Sequence, residues 1–483
     1  MRGFAVAAAL CLGCTSEPPP TSAGGAGGGG GGGGAPIVAE ATFVDVPARH
    51  VTLHGESVDV AARARLFVNF RPAEDAPAER PIVVAFNGFA TDIVHSFGIA
   101  PTTVDANGDV LPNPDRFTRF ANVLFVDPRQ AGFSYDVVDG PDGAPIAPTF
   151  EACSRRVFNE YVDAADVLFA VTRFLRERPA LKGPVVWLGE SYGGARVAWM
   201  LAFLRGRWDL APYTDDALAA ELAASPDAGR LVGAQLLLQP WVLGKVHQTA
   251  IAAACTHPDE IATVSSAVGE ACTGDACACA KAHQRSPYNV ALTITEQDAR
   301  VAAAVKAHLD PAGFEALHGV PLASVAGLAA TERAKGFKCD VADAETPAEP
   351  ALVAALGPLP EGQRYYLPFN PLQPGKELDP APADWNTVNL LGAAFVDNLR
   401  ASPVLVTDGA LDLVVPARAL APGLVALLGA DAVSVAPSGD VTVTTLDGPR
   451  TIAVPKYAAT GHMITMFEAH AFAEDARAFL EAH

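Results

Sequence analysis

The chain has 483 residues, half of them hydrophobic and 18% charged, with 54 Asp and Glu against 34 Lys and Arg, a net charge of −20. Enough surface can be buried to offset the entropy of ordering the chain, which excludes a mainly disordered protein. The acidity argues against polyanionic partners, nucleic acid and anionic membrane surfaces alike.

Met1 and Arg2 precede a short apolar stretch, Gly3–Gly13, that is too short to span a bilayer and reads as a signal peptide over residues 1–14. Leu12-Gly13-Cys14 resembles a bacterial lipoprotein signal, although Cys11 stands where Leu is usual. Lipidation of Cys14 is the expectation, and ordinary signal-peptidase cleavage near it the alternative. Residues 15–42, with three consecutive prolines and a Gly run, read as a flexible linker. No later apolar stretch reaches membrane-spanning length. The protein is therefore expected to be exported, touching a membrane only through Cys14.

Over residues 43–242 short apolar runs alternate with helical patterns. Ile82–Phe86, Val123–Val126, Val185–Leu188 and Gln235–Leu238 suit strands buried on both faces. Before the third run, Phe158, Tyr161, Ala165, Leu168, Val171 and Leu175 share one helix face, with Asp163, Asp166, Arg173 and Arg176 off it. Such alternation predicts an α/β fold, a parallel sheet covered on both sides. Residues 243–384 read instead as a mainly helical insertion. It holds Cys255, Cys272, Cys277, Cys279 and Cys339, the sixth later cysteine being Cys153. In an exported chain an even number argues for up to three disulfides, with the pairing open. Cys272, Cys277 and Cys279 with His283 form the alternative, a zinc cluster, which an oxidising compartment disfavours. The core resumes over residues 385–483. There the pattern gives a strand at Pro403–Val406, a helix around Ala417–Leu428, a hairpin over Val433–Val454 and a last helix from Ile464 to Ala482.

Gly189-Glu190-Ser191-Tyr192-Gly193 joins the strand ending at Leu188 to a helix running to about Leu204. This is G-x-S-x-G in the setting that gives it meaning, a strained turn that projects the Ser hydroxyl at a helix N-terminus, where negative charge is favoured. The plainer reading is a Ser in a tight structural turn. A nucleophilic Ser needs a general base, and the base an acid to hold its tautomer, in the chain order Ser, Asp or Glu, His. Asp412 follows the Pro403–Val406 strand and His462 precedes the last helix, both where loops leave the C-terminal edge of the sheet. Asp408 competes with Asp412 for the acid's place.

These residues resemble the serine carboxypeptidase family, which has the α/β-hydrolase fold, from about His54 to the C-terminus. Gly189-Glu190-Ser191-Tyr192-Gly193-Gly194 is similar to its nucleophile motif, including the Glu. Ala121–Asp127 followed by Gly132-Phe133-Ser134-Tyr135 looks like its second signature, Asp412 with Val414-Val415-Pro416 like the acid's segment, and Gly461-His462 like the base's. Asn87-Gly88 matches the start of the loop that supplies the oxyanion hole and grips the substrate C-terminus. The resemblance implies backbone N–H groups of Tyr192 and Phe89 as oxyanion donors. It also implies Asn87, Gly88 and a protonated Glu190 as the binders of a terminal carboxylate. Read without it, Asn87 is a turn residue and Glu190 an acid at a helix start.

The sequence departs from the family in several places. That loop continues Phe89-Ala90-Thr91-Asp92 instead of Gly-Pro-Gly-Cys, and Ala85 replaces a Trp. No second Glu to pair with Glu190 stands near His95–Gly98, Asp127–Gly132 is one residue short, and Ala410 replaces an Asp. The expectation is a helix-capped α/β-hydrolase working as a serine-type carboxypeptidase on peptides, through an acyl-enzyme and with no metal or cofactor. The alternative is an esterase, amidase or acyltransferase on the same scaffold, with small acyl substrates. A non-catalytic binding protein that kept the fold is the reading from another class.

Overall fold

The computed structural model describes residues 36–243, 303–325 and 388–483, apart from breaks at 54, 60–62, 89–94, 106, 130–132, 137, 140–144, 147–159, 226–227, 305, 309, 411, 413–414, 416–418 and 459. Every cysteine, and with them the lipid, disulfide and zinc readings, lies outside the described residues, as do Phe89, Val414 and Pro416. The compact unit is Ile37–His483. Its first strand, β1 (Glu40–Val46), begins slightly before the core boundary expected at residue 43.

The next strands are β2 (Ala64–Arg71), β3 (Ile82–Phe86), β4 (Asn122–Val126), β5 (Val185–Glu190), β6 (Gln235–Leu238) and β7 (Val404–Gly409). They are followed by β8 (Val433–Val435), β9 (Val441–Thr445) and β10 (Gly448–Ala453). Their order across the main sheet is β1-β2-β4-β3-β5-β6-β7-β10-β9-β8. From β4 to β10 neighbours are parallel, while β1 and β2 at one edge and β9 and β8 at the other pair antiparallel.

The apolar runs explain why these strands are central. Ile82, Val84, Phe86, Val185, Trp187, Val404 and Val406 point into one hydrophobic cluster, whereas Val83, Ala85, Val186, Leu188 and Leu405 point into another. A strand that alternates between two dry faces must be apolar at every position. The first face is covered by α1 (Glu160–Arg176), α2 (Gly193–Leu204), α5 (Val388–Asn398) and α6 (Leu420–Leu428), with α3 (Asp216–Ala223) packed on α1. The second is covered by α7 (Ile464–Phe467) and α8 (Ala469–Ala482), through Ile464, Phe472, Ala473, Ala476 and Phe479. Among the described residues no helix is long and apolar enough to cross a membrane.

Three details differ from the sequence pattern. Asp163 and Asp166 lie off the apolar stripe of α1, yet both are buried. Each meets an arginine: Asp166 pairs with Arg49 at 2.7 Å and with Arg129, and Asp163 with Arg196 at 2.7 Å. A buried charge is tolerated only when paired in this way. The last helix is two pieces, because Glu468 leaves helical geometry (φ −128°, ψ 36°) without any Pro or Gly to announce it. Finally, β5 runs on through Gly189 and Glu190, so the turn falls at Ser191 itself.

Within the expected insertion, the described part contains α4 (Pro311–His318). Asp310 accepts from the Ala312 and Gly313 N–H groups at its start, and Gly319 ends it in the left-handed region. It seats on β2, where the Asn69 side chain donates to the His318 carbonyl at 3.0 Å and Phe314 packs on Phe67.

Candidate active site

Ser191 stands between the end of β5 and the start of α2 with φ +58°, a left-handed conformation that costs a non-Gly residue about 1–3 kcal/mol. The turn is held from outside. The Ser191 N–H donates to the Leu238 carbonyl at 2.8 Å, and its own carbonyl accepts from the N–H groups of Gly194 (2.9 Å) and Trp241 (2.8 Å). Gly189 has no room for a side chain, since a Cβ there would lie 2.5 Å from the Gly193 carbonyl oxygen. The turn is thus clamped to the tip of β6. Ser191 keeps partial exposure, whereas its neighbours Glu190 and Tyr192 are buried.

Asp412 and His462 are brought together at the same sheet edge. Asp412 Oδ2 lies 3.0 Å from His462 Nδ1, and Oδ1 accepts from the Val415 N–H at 3.1 Å. Both residues are buried, and Asp408 lies within β7, in backbone register with Lys456. Burial by itself would lower the His462 pKa, but the Asp412 charge and hydrogen bond, with Glu190 adding to them, carry it above the ordinary imidazole value. An imidazole held through Nδ1 by a carboxylate presents Nε2 as the basic atom.

Gln239, which the sequence reading did not single out, ties this pair to the serine turn. It follows Leu238 at φ +39°, donates through Nε2 to the Gly461 carbonyl at 2.8 Å, and its N–H reaches Thr407 Oγ1 at 3.2 Å. One residue, through its backbone and its side chain, therefore links the β6 tip that holds Ser191, the β7 strand that leads to Asp412, and the loop that carries His462. Only a Gln followed by Pro at a strand end hinted at it, and that pattern says nothing of its reach.

Asn87, Gly88 and Glu190 form the second half of the site. Asn87 Nδ2 donates to Glu190 Oε2 at 2.6 Å, and among the described residues Glu190 Oε1 finds no hydrogen-bond partner. Burial pushes the Glu190 carboxyl up to about 7, against the opposing influence of His462 and the Asn87 hydrogen bond. Glu190 is therefore an acid that can carry a proton near neutrality. Gly88 lies tight against the start of α2, where a Cβ on it would stand 3.1 Å from the Tyr192 nitrogen and 3.4 Å from Ser191 Cβ. The absent side chain leaves the space in front of that N–H open. Where the family would supply a second Glu, this chain has His95 and Ser96 engaged elsewhere: His95 Nε2 lies 2.9 Å from Asn69 Oδ1, and Ser96 Oγ 2.7 Å from His308 Nε2.

The family model of serine carboxypeptidases matches residues 49–204, about a third of the chain. No curated protein matches the sequence. Similar solved structures include Kex1(delta)p, a prohormone-processing carboxypeptidase from Saccharomyces cerevisiae, at 12% identity, covering 90% of this chain and 91% of that one with a TM-score of 0.46. A proline iminopeptidase from Mycobacterium smegmatis is 14% identical, covering 90% and 98% with a TM-score of 0.41. A thermophilic esterase from Thermogutta terrifontis is 12% identical, covering 90% and 99% with a TM-score of 0.36. With its mostly parallel sheet and its strand–Ser–helix turn, the chain has the α/β-hydrolase fold, and over residues 49–204 it matches the family model of the serine carboxypeptidases that its motifs resemble.

Proposed function

We propose that the protein is a serine-type carboxypeptidase in which Ser191, His462 and Asp412 perform acyl transfer. The Ser191 hydroxyl oxygen bonds to the carbonyl carbon of the last peptide bond as His462 Nε2 takes its proton. The carbon–nitrogen bond then breaks, and His462 returns that proton to the departing amine, leaving an acyl-enzyme. Water repeats the sequence: His462 takes its proton, the hydroxide oxygen bonds to the acyl carbon, and Ser191 leaves with the proton back on its oxygen. Asp412 orients the imidazole and stabilises its cation. The Tyr192 N–H holds the developing oxyanion, together with the Phe89 N–H that the family resemblance implies, each such donor worth roughly 3 kcal/mol of barrier.

The observation that carries the peptidase reading is the Asn87–Glu190 pair next to the nucleophile. A buried carboxyl with a raised pKa can donate a hydrogen bond to a substrate carboxylate while an amide donates a second. A neutral ester needs neither. The test compares a blocked dipeptide with its C-terminal amide near pH 5, where the free acid should be hydrolysed with the higher kcat/KM. A second reading, an esterase, amidase or acyltransferase, is favoured by Glu190 having, among the described residues, one side-chain hydrogen-bond partner and no acid hydrogen-bonded to it. It becomes the better one if the amide is cleaved as well as the acid.

A further inference from the structure

Arg196 sits one turn into α2, buried beneath the nucleophile, and nothing in the sequence marks it. Its guanidinium spreads over two elements. Nη1 donates to the Asn87 carbonyl at 2.9 Å and Nη2 to the Gly88 carbonyl at 3.1 Å. Nε donates to Asp163 Oδ2 on α1 at 2.9 Å, with Nη2 2.7 Å from the same oxygen. The planar group also lies 5.2 Å from the ring centres of both Phe86 and Tyr192. Asp163 in turn acts on the Tyr192 hydroxyl, which burial and then that charge hold protonated. A single ion pair therefore touches both Asn87 and Gly88 at the end of β3 and Tyr192, the residue after Ser191.

Peptide geometry gives the contact a consequence. A trans peptide unit is planar, and its N–H points opposite to its carbonyl. Drawing the Asn87 carbonyl inward to Arg196 turns the Gly88 N–H, at the far end of that unit, outward and away from the helix. The Gly88 carbonyl, held by the same fork, keeps Gly88 against the Tyr192 N–H, where its missing side chain leaves that donor open. Lys could not replace the fork, since it offers one compact charge in place of a rigid planar set of donors.

We propose that Arg196, held by Asp163, is a positioning residue that sets Asn87 and Gly88 against Ser191 and the oxyanion-donating N–H of Tyr192. It touches no substrate and acts through the peptide units it grips. The inference rests on Ser191 being the nucleophile, so its test must separate the two. The reagent is a fluorophosphonate: Ser191 Oγ bonds to phosphorus, fluoride leaves, and His462 takes the serine proton, with the phosphoryl oxygen in the oxyanion hole. The readouts are the second-order rate of Ser191 labelling, followed by mass spectrometry, the affinity for phenylboronic acid as competitor, and the thermal midpoint.

In the full chain, Arg196→Gln should slow labelling and weaken boronate binding by about 10- to 100-fold, somewhat less than outright loss of a donor. Phe174→Leu, a core change away from the site, should lower the thermal midpoint while leaving both readouts within twofold. If Arg196→Gln proves unstable, Arg196→Lys should fold and show the same two losses. Loss of stability alone, with labelling and boronate affinity unchanged in either variant, would overturn the positioning role. Failure of the wild type to label at Ser191 would overturn the nucleophile assignment and the positioning role with it.

Discussion

Replacing Glu190 by Gln removes the one group that ties peptide binding to pH without touching the triad. The Glu190 carboxyl is raised by burial to about 7. Relative to an ordinary glutamate, ionising it in place costs roughly 3 kcal/mol. A substrate carboxylate can share a hydrogen bond with Glu190 only while one of them carries a proton. Below about pH 7 that proton is on Glu190, and above it binding of a free-acid peptide should weaken about tenfold per pH unit. His462 also titrates, with a raised pKa, and it governs the peptide and its amide alike. The ratio of kcat/KM for a blocked dipeptide to kcat/KM for its C-terminal amide cancels His462 and isolates Glu190. Measured from pH 4 to pH 9, the ratio should be flat in acid and fall about 100-fold by pH 9 in the wild type. In Glu190→Gln it should stay flat throughout, because an amide cannot ionise and can always donate. An identical fall in both proteins, or a flat ratio in the wild type, would refute the carboxylate-reading role.

The same residue predicts a stability effect. The folded-state pKa of Glu190 lies above that of the unfolded chain, so stability present below about pH 4.5 is lost as pH rises towards 7. Unfolding in urea should therefore show Glu190→Gln gaining roughly 3 kcal/mol on the wild type between pH 4 and pH 8, and no relative gain would contradict the raised pKa. Gly88→Ala places a methyl group 3.1 Å from the Tyr192 nitrogen and should lower kcat by about 100-fold with a smaller change in KM, so a kcat within threefold of wild type would show that this N–H holds no oxyanion. Asp412→Asn should leave the fold intact yet cost at least 100-fold in turnover of any acyl substrate, through loss of the imidazole's tautomer. Retention of a tenth of wild-type turnover would move the acid's role to another residue.

The parts of this molecule readable in its sequence are those set by short-range rules. Doubly buried strands must be apolar throughout, so Ile82–Phe86 and Gln235–Leu238 are found where the runs stand. A strained strand-to-helix turn needs glycine beside Ser191, so the candidate nucleophile stands out in the sequence. Asp412 and Asp408 were separable only by family resemblance until the fold put Asp412 against His462. Arg196 and Gln239 were not legible, since each works by reaching a carbonyl on a loop far away in the chain. Nothing in the local pattern of α2 or β6 distinguishes such a side chain from an ordinary polar one. Asp163 and Asp166 misled for the same reason: helical period placed them off the core face, and distant arginines brought them in.

The central claim is that Ser191 drives removal of residues from a peptide's C-terminus. Incubating the purified chain with a mixed peptide pool near pH 5, and following it by mass spectrometry, tests this directly. The account predicts ladders in which single residues leave from the C-terminus, absent for peptide amides and absent altogether with Ser191→Ala. Internal cleavage, ladders that persist in Ser191→Ala, or ester hydrolysis with no loss of peptide mass would contradict it.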